Sequence, residues 1–372
     1  LFLCYWGAWS YDRVGDGNFS VEDIDTSLCT HLVYSFAILE NDTISSKDPD
    51  FDLTDNSGLG MYKKFNDLKL QNRDLKTIIA IGGWNEEFEM YSNMSRTAEG
   101  RKRFVDSVVE FLDRHGFDGL DLNWEYPSRM GGFPEDRENH ALLLKELREA
   151  LDQENRTLIA TVSLKIETVN VSYNVPEVMK SVHLLNLMGY DFFGAWNNYT
   201  GHNSPLRARK GGNELEQTLN VVRSHVSGLL DNQLRTKLFH AEPMVHIQGM
   251  GTTPGNSPLG ACQAVDGDYH DEHRCGLDIA AKSFLKVFEE EPNRNRSDSA
   301  NVVVVVPVYK VTACNYHAGF TLATQVAFAL SKGLAGAMVW SIETDDFGGH
   351  CGDTKNPLQS AIKEALRLTP VS

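Results

Sequence analysis

Apolar and polar residues alternate along Phe117–Pro127 at the two-residue period of a β-strand. One side of such a strand carries apolar side chains, namely Leu120, Leu122 and Trp124. The opposite side carries carboxyl and amide groups, namely Asp121, Asn123 and Glu125. Buried polar groups are costly unless they bond one another or a ligand. The segment therefore predicts an inner strand whose polar face meets a ligand, and the alternative is an edge strand with one wet face.

Strand-like and helix-like segments alternate along most of the chain. The predicted strands are Phe2–Trp9, His31–Leu39, Lys76–Gly83, Phe117–Tyr126, Thr157–Leu164, Leu184–Asp191, Thr236–Val245 and Gly336–Ile342. Amphipathic segments between them are predicted helices, including Arg101–His115, Asn139–Gln153, Asn213–Leu230 and Leu322–Lys332. Eight strands that alternate with helices predict an α/β fold, a TIM (β/α)8 barrel with a helical coat.

Residues 248–320 break this alternation with a Pro/Gly-rich start and a polar loop near residues 290–299. We predict a small α+β insertion domain at 248–320, between strands seven and eight. The barrel domain then comprises residues 1–247 and 321–372. The apolar run Ala300–Val306 inside the insertion is predicted to be a buried strand.

The composition excludes several classes of partner. The chain has 372 residues and a formal net charge of -16, which argues against nucleic acid or anionic membrane as the main partner. No apolar run approaches the ~18 residues that a membrane-spanning helix needs, so no membrane insertion is expected. Nothing in the sequence implies a metal or an organic cofactor, and no oligomeric state is indicated.

Cysteines and glycosylation signals indicate a secreted protein. The six cysteines lack CxxC spacing, which argues against a zinc or redox site and favours three disulfides over free buried thiols. The first residue is not Met, as removal of a signal peptide would explain. Seven Asn-X-Ser/Thr sequons indicate a glycoprotein surface. They begin at Asn18, Asn41, Asn93, Asn155, Asn170, Asn198 and Asn295.

Aromatic residues recur at or near the ends of the predicted strands, where a TIM barrel places its chemistry. They are Tyr5, Trp6, Trp9, Tyr34, Phe36, Trp84, Tyr190, Trp196 and Trp340. Each ring taken alone is more often a core residue than a ligand contact, but their recurrence favours a common cleft. Because sugar rings stack on aromatic faces while hydroxyls bond to polar groups, the pattern predicts a cleft for a sugar polymer.

At this point the sequence resembles the family 18 glycoside hydrolases, the chitinases and chitinase-like proteins. The family motif DGxDxDWE is matched by Asp118–Glu125, with Asn123 in place of its last Asp. Further similar segments are Ser27–His31, Gly82–Trp84, Met188–Asp191, Gly336–Trp340 and Asp345–Phe347. The similarity is strong to about residue 200 and weaker between about 205 and 320.

The resemblance implies a role for each matching residue. The family uses the Glu that matches Glu125 as a general acid, and the acetamido group of the substrate replaces a protein nucleophile. Asp121, Asn123 and Tyr190 then complete the catalytic floor. Trp9, Trp84, Met188, Asp191 and Trp340 match residues that line the sugar subsites, and Tyr34 and Phe36 join them as predicted contacts. The resemblance also pairs Cys4 with Cys29, and pairs Cys351 with one cysteine among Cys262, Cys275 and Cys314.

Two departures from the family pattern weaken the expected catalysis. An amide at Asn123 carries no charge, so it cannot neutralise the positive charge that develops on the reacting sugar. Loss of one preorganised electrostatic group costs roughly 10²–10³ in rate. The second departure is Pro243–Gln248, which appears where the family usually ends strand seven with Tyr-Gly-Arg.

Three functions are compatible with these features. The first is a secreted chitinase-like protein that binds chitin or chitooligosaccharides, the β-1,4-linked oligomers of N-acetylglucosamine, with hydrolysis weakened or lost. The second is an active endochitinase that tolerates Asn123 and uses Glu125 as its acid. The third is a storage, structural or pigment-type protein that has abandoned the glycan cleft.

Overall fold

The structure, a computed structural model, describes three parts of the chain. They are residues 1–219 except 199, 200, 202, 206, 207, 209 and 210, residues 302–307, and residues 323–368 except 324, 325, 328, 331–333 and 351–353. The strands in this part are β1 (Phe2–Gly7), β2 (His31–Glu40), β3 (Thr43–Ser45), β4 (Lys76–Gly82), β5 (Gly119–Asn123), β6 (Thr157–Ser163), β7 (Leu184–Met188), β8 (Val302–Pro307) and β9 (Gly336–Trp340).

Eight parallel strands close into a barrel. Starting from β1, each strand pairs in parallel with the next in the order β1, β2, β4, β5, β6, β7, β8, β9, and β9 pairs again with β1. The short β3 pairs in antiparallel fashion with the carboxyl end of β2. The predicted TIM barrel is therefore confirmed, and the carboxyl ends of the parallel strands share one face.

Helices lie between the strands and coat the barrel. In the described residues they are α1 (Pro49–Asp52), α2 (Met61–Asp67), α3 (Phe88–Ser95), α4 (Ala98–His115), α5 (Asp136–Gln153), α6 (Ile166–Ser172), α7 (Val175–Ser181), α8 (Glu214–Thr218) and α9 (Pro357–Leu368). Thr97 caps α4 by accepting a hydrogen bond from the Gly100 amide, and Gly116 ends it with a φ of 80°. None of these helices has the length and apolar character that crossing a bilayer requires.

The seventh barrel strand differs from the sequence-based expectation. Val302–Pro307 pairs with both β7 and β9, so this run, which we placed inside the 248–320 insertion, is part of the barrel sheet. The strand predicted at Thr236–Val245 lies outside the described residues. The division of the chain into a barrel and an insertion domain stays a prediction.

Apolar side chains pack in two layers on either side of the barrel sheet. A small inner layer fills the barrel and includes Leu3, Val33, Ile78 and Ile159. The larger outer layer lies between the sheet and the helices, and it includes Leu120, Leu122 and Trp124 together with buried residues of α4 and α5. Burial of apolar surface on both faces explains why most barrel strands are apolar nearly throughout.

One disulfide tethers the beginning of the barrel. Cys4 on β1 bonds Cys29, which lies just before β2, with a Cα–Cα distance of 6.1 Å. This confirms the first predicted pair. Cys262, Cys275, Cys314 and Cys351 lie outside the described residues, so their pairing stays a prediction.

Candidate active site

The polar face of β5 points into the barrel and up to its open end. Asp121 is fully buried, Asn123 is 5% exposed, and Glu125, two residues further on, is half-buried and lines the cleft. The apolar residues between them belong to the outer layer. The alternation predicted from the sequence is therefore confirmed, and it places three polar groups in a row from the barrel interior to the cleft.

Asp121 is held by hydroxyl donors inside the barrel. The Tyr5 hydroxyl donates to Asp121 Oδ2 at 2.7 Å, and Thr161 Oγ1 donates to Asp121 Oδ1 at 2.8 Å. Asn186 Nδ2 in turn donates to the Tyr5 hydroxyl at 2.7 Å. Burial raises the pKa of Asp121 from 3.8 to about 6, although the hydrogen bonds from Tyr5 and Thr161 favour the charged form. The network brings together β1, β5, β6 and β7.

Asn123 presents an acceptor without a partner. Its Oδ1 atom is buried and accepts no hydrogen bond from any described residue, and the side chain lines the cleft floor. A buried acceptor left unpaired costs on the order of 1–3 kcal/mol. An N–H group of a ligand in the cleft would satisfy it.

Glu125 has the protonation behaviour of a general acid. Burial raises its pKa from 4.5 to about 7, while hydrogen bonds with the side chains of Tyr126 and Asn123 oppose this rise. The negative charges of Asp191 and Asp121 raise the pKa further. A substantial fraction of Glu125 is therefore protonated near neutral pH and can donate a proton into the cleft.

Exposed aromatic rings wall a cleft of about 880 Å³ above these groups. Trp9 stacks on Phe36 at a centroid distance of 6.3 Å and lies 5.8 Å from Trp340. Trp84 is 60% exposed. The predicted residues that the structure brings together here are Trp9, Phe36, Trp84, Asn123, Glu125, Met188, Tyr190, Asp191 and Trp340.

Tyr34 is not part of the cleft, and the prediction for it was wrong. Its side chain is fully buried in the outer layer, packs against Trp6 and Phe65, and donates a hydrogen bond to Asp52. Strict alternation would place it on the same side as Phe36. The register of β2 against β4 shifts between Ser35 and Ala37, and this irregularity turns Phe36 into the cleft while Tyr34 stays outside.

Other cleft residues were absent from the predicted site. They are Ile38, Lys47, Asn85, Glu86, Tyr126, Ser163, Lys165 and Trp196. The sequence does contain a signal for Trp196, because it is one of the aromatic residues that follow the predicted strand ends, although the predicted site did not include it. Lys165 and Glu86 carry no motif, and only the closure of the barrel brings them to the cleft.

Two exposed tryptophans rest on glycines. The sequence Gly-Ala-Trp occurs after β1, ending at Trp9, and again after β7, ending at Trp196. A Cβ atom on Gly7 would lie 2.4 Å from the Trp9 ring, and one on Gly194 would lie 2.3 Å from the Trp196 ring. Each ring therefore lies directly on the backbone of its own loop. The ring can take this position because glycine has no side chain.

The described residues hold no group of three or more His, Cys, Asp or Glu side chains that could bind a metal ion.

The free energy of unfolding should depend on pH because Asp121 is buried. Because its pKa is higher in the folded than in the unfolded chain, Asp121 destabilises the fold increasingly as pH rises from about 4 to 6, by about 3 kcal/mol in total. We expect the stability of Asp121→Asn relative to wild type to improve as pH rises through this window. Urea unfolding at pH 4 and pH 7 measures it, and a difference independent of pH would contradict the assignment.

Comparisons with known proteins agree with this geometry. The sequence profile of the glycosyl hydrolases family 18 matches residues 1–345. "Probable chitinase 2" of Drosophila melanogaster is 33% identical over 370 residues, which cover 94% of this chain and 73% of that protein. Chitotriosidase-1 of Mus musculus is 29% identical over 374 residues, which cover 98% of this chain and 78% of that protein.

Solved structures with similar folds include a chitinase and a pseudo-chitinase. The Group IV chitinase of Ostrinia furnacalis in complex with allosamidin has a TM-score of 0.73 and 30% identity, and the match covers 98% of both chains. Human YKL-39, described as a pseudo-chitinase with retained chitooligosaccharide binding properties, has a TM-score of 0.71 and 25% identity, with 98% of this chain and 99% of that chain covered. The fold, the motif on β5 and these matches together show that the chain belongs to the glycosyl hydrolases family 18.

Proposed function

We propose that this protein binds β-1,4-linked N-acetylglucosamine oligomers in its cleft, with hydrolysis weakened or lost. The observation that carries the proposal is the buried Oδ1 atom of Asn123, which has no hydrogen-bond partner among the described residues and lies at the floor of an aromatic cleft beside Glu125. An acetamido N–H is a donor of the right kind for this acceptor. The exposed Trp rings supply apolar faces on which sugar rings stack.

The same geometry explains why turnover should be slow. In substrate-assisted hydrolysis, Glu125 protonates the leaving glycosidic oxygen while the carbonyl oxygen of the substrate's own acetamido group attacks the anomeric carbon. Positive charge then develops on the acetamido group. Asn123 can orient that group through a hydrogen bond, but a neutral amide provides no charge to stabilise it. Loss of one such group costs roughly 10²–10³ in rate.

The second candidate function, an active endochitinase, is favoured by what remains of the floor. Glu125 has a pKa of about 7, and Asp121 keeps its hydrogen bonds to Tyr5 and Thr161. These groups support some residual hydrolysis. The third candidate, a protein that abandoned the cleft, has less support because the aromatic wall remains open and exposed.

Binding should depend on the position of the Trp9 ring. We expect wild-type protein to bind chitohexaose with measurable heat, and Gly7→Ala to weaken that affinity about ten-fold because the added Cβ displaces the ring. Isothermal titration calorimetry measures both. Gly17→Ala is the matched control, since a Cβ there meets only ordinary contacts at 3.7 Å or more. Absence of heat and of a melting shift in the wild type would refute sugar binding.

A carboxylate at position 123 should increase the rate of hydrolysis. We expect Asn123→Asp to raise hydrolysis of a fluorogenic chitobioside roughly 10²–10³-fold over wild type, because the floor regains its negative charge. Glu125→Gln added to Asn123→Asp should abolish the gain, since the proton donor is then absent. A wild type as fast as Asn123→Asp would refute impaired catalysis. Unchanged inactivity would place the defect elsewhere, with the altered segment Pro243–Gln248 as the first suspect.

We also propose that the protein is secreted and N-glycosylated. The six sequon asparagines in the described part of the chain are all exposed, which supports glycan attachment. The Cys4–Cys29 bridge supports an oxidising compartment. Expression in a eukaryotic cell line with a signal peptide should give secreted protein whose mass falls on treatment with peptide-N-glycosidase. Secreted protein whose mass is unchanged by the enzyme would contradict glycosylation.

A further inference from the structure

Lys165 brings a positive charge into the cleft. It directly precedes α6, and its side chain lines the cleft together with Asp191 and Trp196. The ammonium nitrogen lies 5.5 Å from the centroid of the Trp196 ring, which is 62% exposed and rests on Gly194. The charge therefore stands over the face of an exposed aromatic ring of the cleft.

The ammonium group of Lys165 has no direct counter-ion in the described part of the chain. No described carboxylate lies within 4.0 Å of its nitrogen, and its side chain makes no hydrogen bond there. Burial lowers the pKa of Lys165, and the charges of Asp191 and Glu167 act in the opposite direction. A cation that is partly removed from water and has no bonded anion contributes strongly to the binding free energy of an anionic ligand.

A second cation stands close by. Arg129, in the loop after β5, lowers the pKa of Lys165 through its charge, so the two groups lie within electrostatic range. The Arg129 guanidinium donates to the Glu167 carbonyl oxygen at 3.4 Å and forms no ion pair with a described carboxylate. The rim between the loops after β5 and β6 thus carries two cations, Lys165 and Arg129, near the carboxylates of Asp191 and Glu167.

The acidic groups of the cleft repel a bound anion less strongly than their number suggests. Asn123 is neutral where the family motif has a carboxylate. Glu125, with a pKa of about 7, is partly protonated at neutral pH. Asp191 accepts a hydrogen bond from Asn203 Nδ2 at 3.0 Å, which disperses part of its charge. The floor is therefore less negative than a fully carboxylate-lined one, and an anion beside Lys165 meets weaker repulsion.

We propose that Lys165 forms an anion subsite at the Trp196 side of the cleft, and that the preferred glycan is an N-acetylglucosamine oligomer carrying a carboxylate or sulfate group. A sugar bound next to Trp196 would present this group to the Lys165 ammonium. Arg129 adds long-range attraction at the same rim. This inference rests on the proposed sugar-binding function, and it names the class of glycan that the cleft selects.

The test compares a neutral oligomer with two acidic ones. Chitohexaose, its 6-O-sulfated form and its form oxidised to the 6-carboxylate are titrated into wild-type protein by calorimetry at 0.15 M salt, about physiological ionic strength. We expect at least one acidic oligomer to bind about ten-fold tighter than the neutral one, as a charge-assisted contact provides. The two acidic arms show whether sulfate or carboxylate is the preferred anion.

Variants locate the anion subsite. Lys165→Gln should reduce the ratio of acidic to neutral affinity to about one, and Lys165→Arg should keep it above one because the charge is retained. Lys180→Gln is the matched control, since Lys180 is exposed on α7 and pairs with Glu177 outside the cleft. Its ratio should equal that of wild type.

The outcomes separate this inference from the proposed function. Equal affinity of wild type for all three oligomers would overturn the anion subsite while leaving sugar binding intact. A preference that persists in Lys165→Gln would overturn the assignment to this lysine. Absence of binding by every oligomer would refute sugar binding itself and the subsite with it.

Discussion

The site depends on one buried carboxylate at the centre of the barrel. Asp121 accepts hydrogen bonds from Tyr5 and Thr161, and Asn186 donates to Tyr5 in turn, so four strands share one polar network. A charge in such a place is costly to bury unless its partners are fixed. Because Asp121 lies two and four residues before Asn123 and Glu125, the network also fixes the direction in which those side chains leave the barrel.

The chemistry of the floor follows from charge balance. Burial, assisted by the negative charges of Asp191 and Asp121, raises the pKa of Glu125 to about 7, so part of it carries the proton that a general acid needs near neutral pH. Under the proposed function, Asn123 has the shape of a carboxylate without its charge, so the floor would orient an acetamido group but would stabilise a cationic transition state poorly. The proposed anion subsite would depend on the same neutral amide, because Lys165 would then face fewer full negative charges. Weakened catalysis and tolerance of an acidic glycan would thus share one cause.

The backbone conformation determines where the aromatic rings of this cleft lie, as much as their side chains do. Trp9 and Trp196 both lie on glycines two residues earlier, and any side chain at Gly7 or Gly194 would collide with the ring. Phe36 reaches the cleft through the register shift in β2. Three non-proline cis peptide bonds involve cleft residues, at Ser35–Phe36, Glu125–Tyr126 and Trp340–Ser341. The wall of the cleft is therefore built from irregular backbone at strand ends.

Short-range periods along the chain predict the barrel and the polar face of β5. The Cys4–Cys29 pair and most of the cleft residues follow from the resemblance to family 18, which rests on contiguous motifs. The remaining features depend on contacts between distant parts of the chain. The recurrence of aromatic residues near strand ends predicts that both Tyr34 and Phe36 line the cleft, but the register shift in β2 turns only Phe36 inward, and Tyr34 lies in the outer layer. The place of Val302–Pro307 in the sheet was decided by pairing with strands far away in the chain. Lys165, Tyr126 and the donors to Asp121 come together only when the barrel closes, since contacts between residues 40 to 181 positions apart leave no local pattern in the sequence.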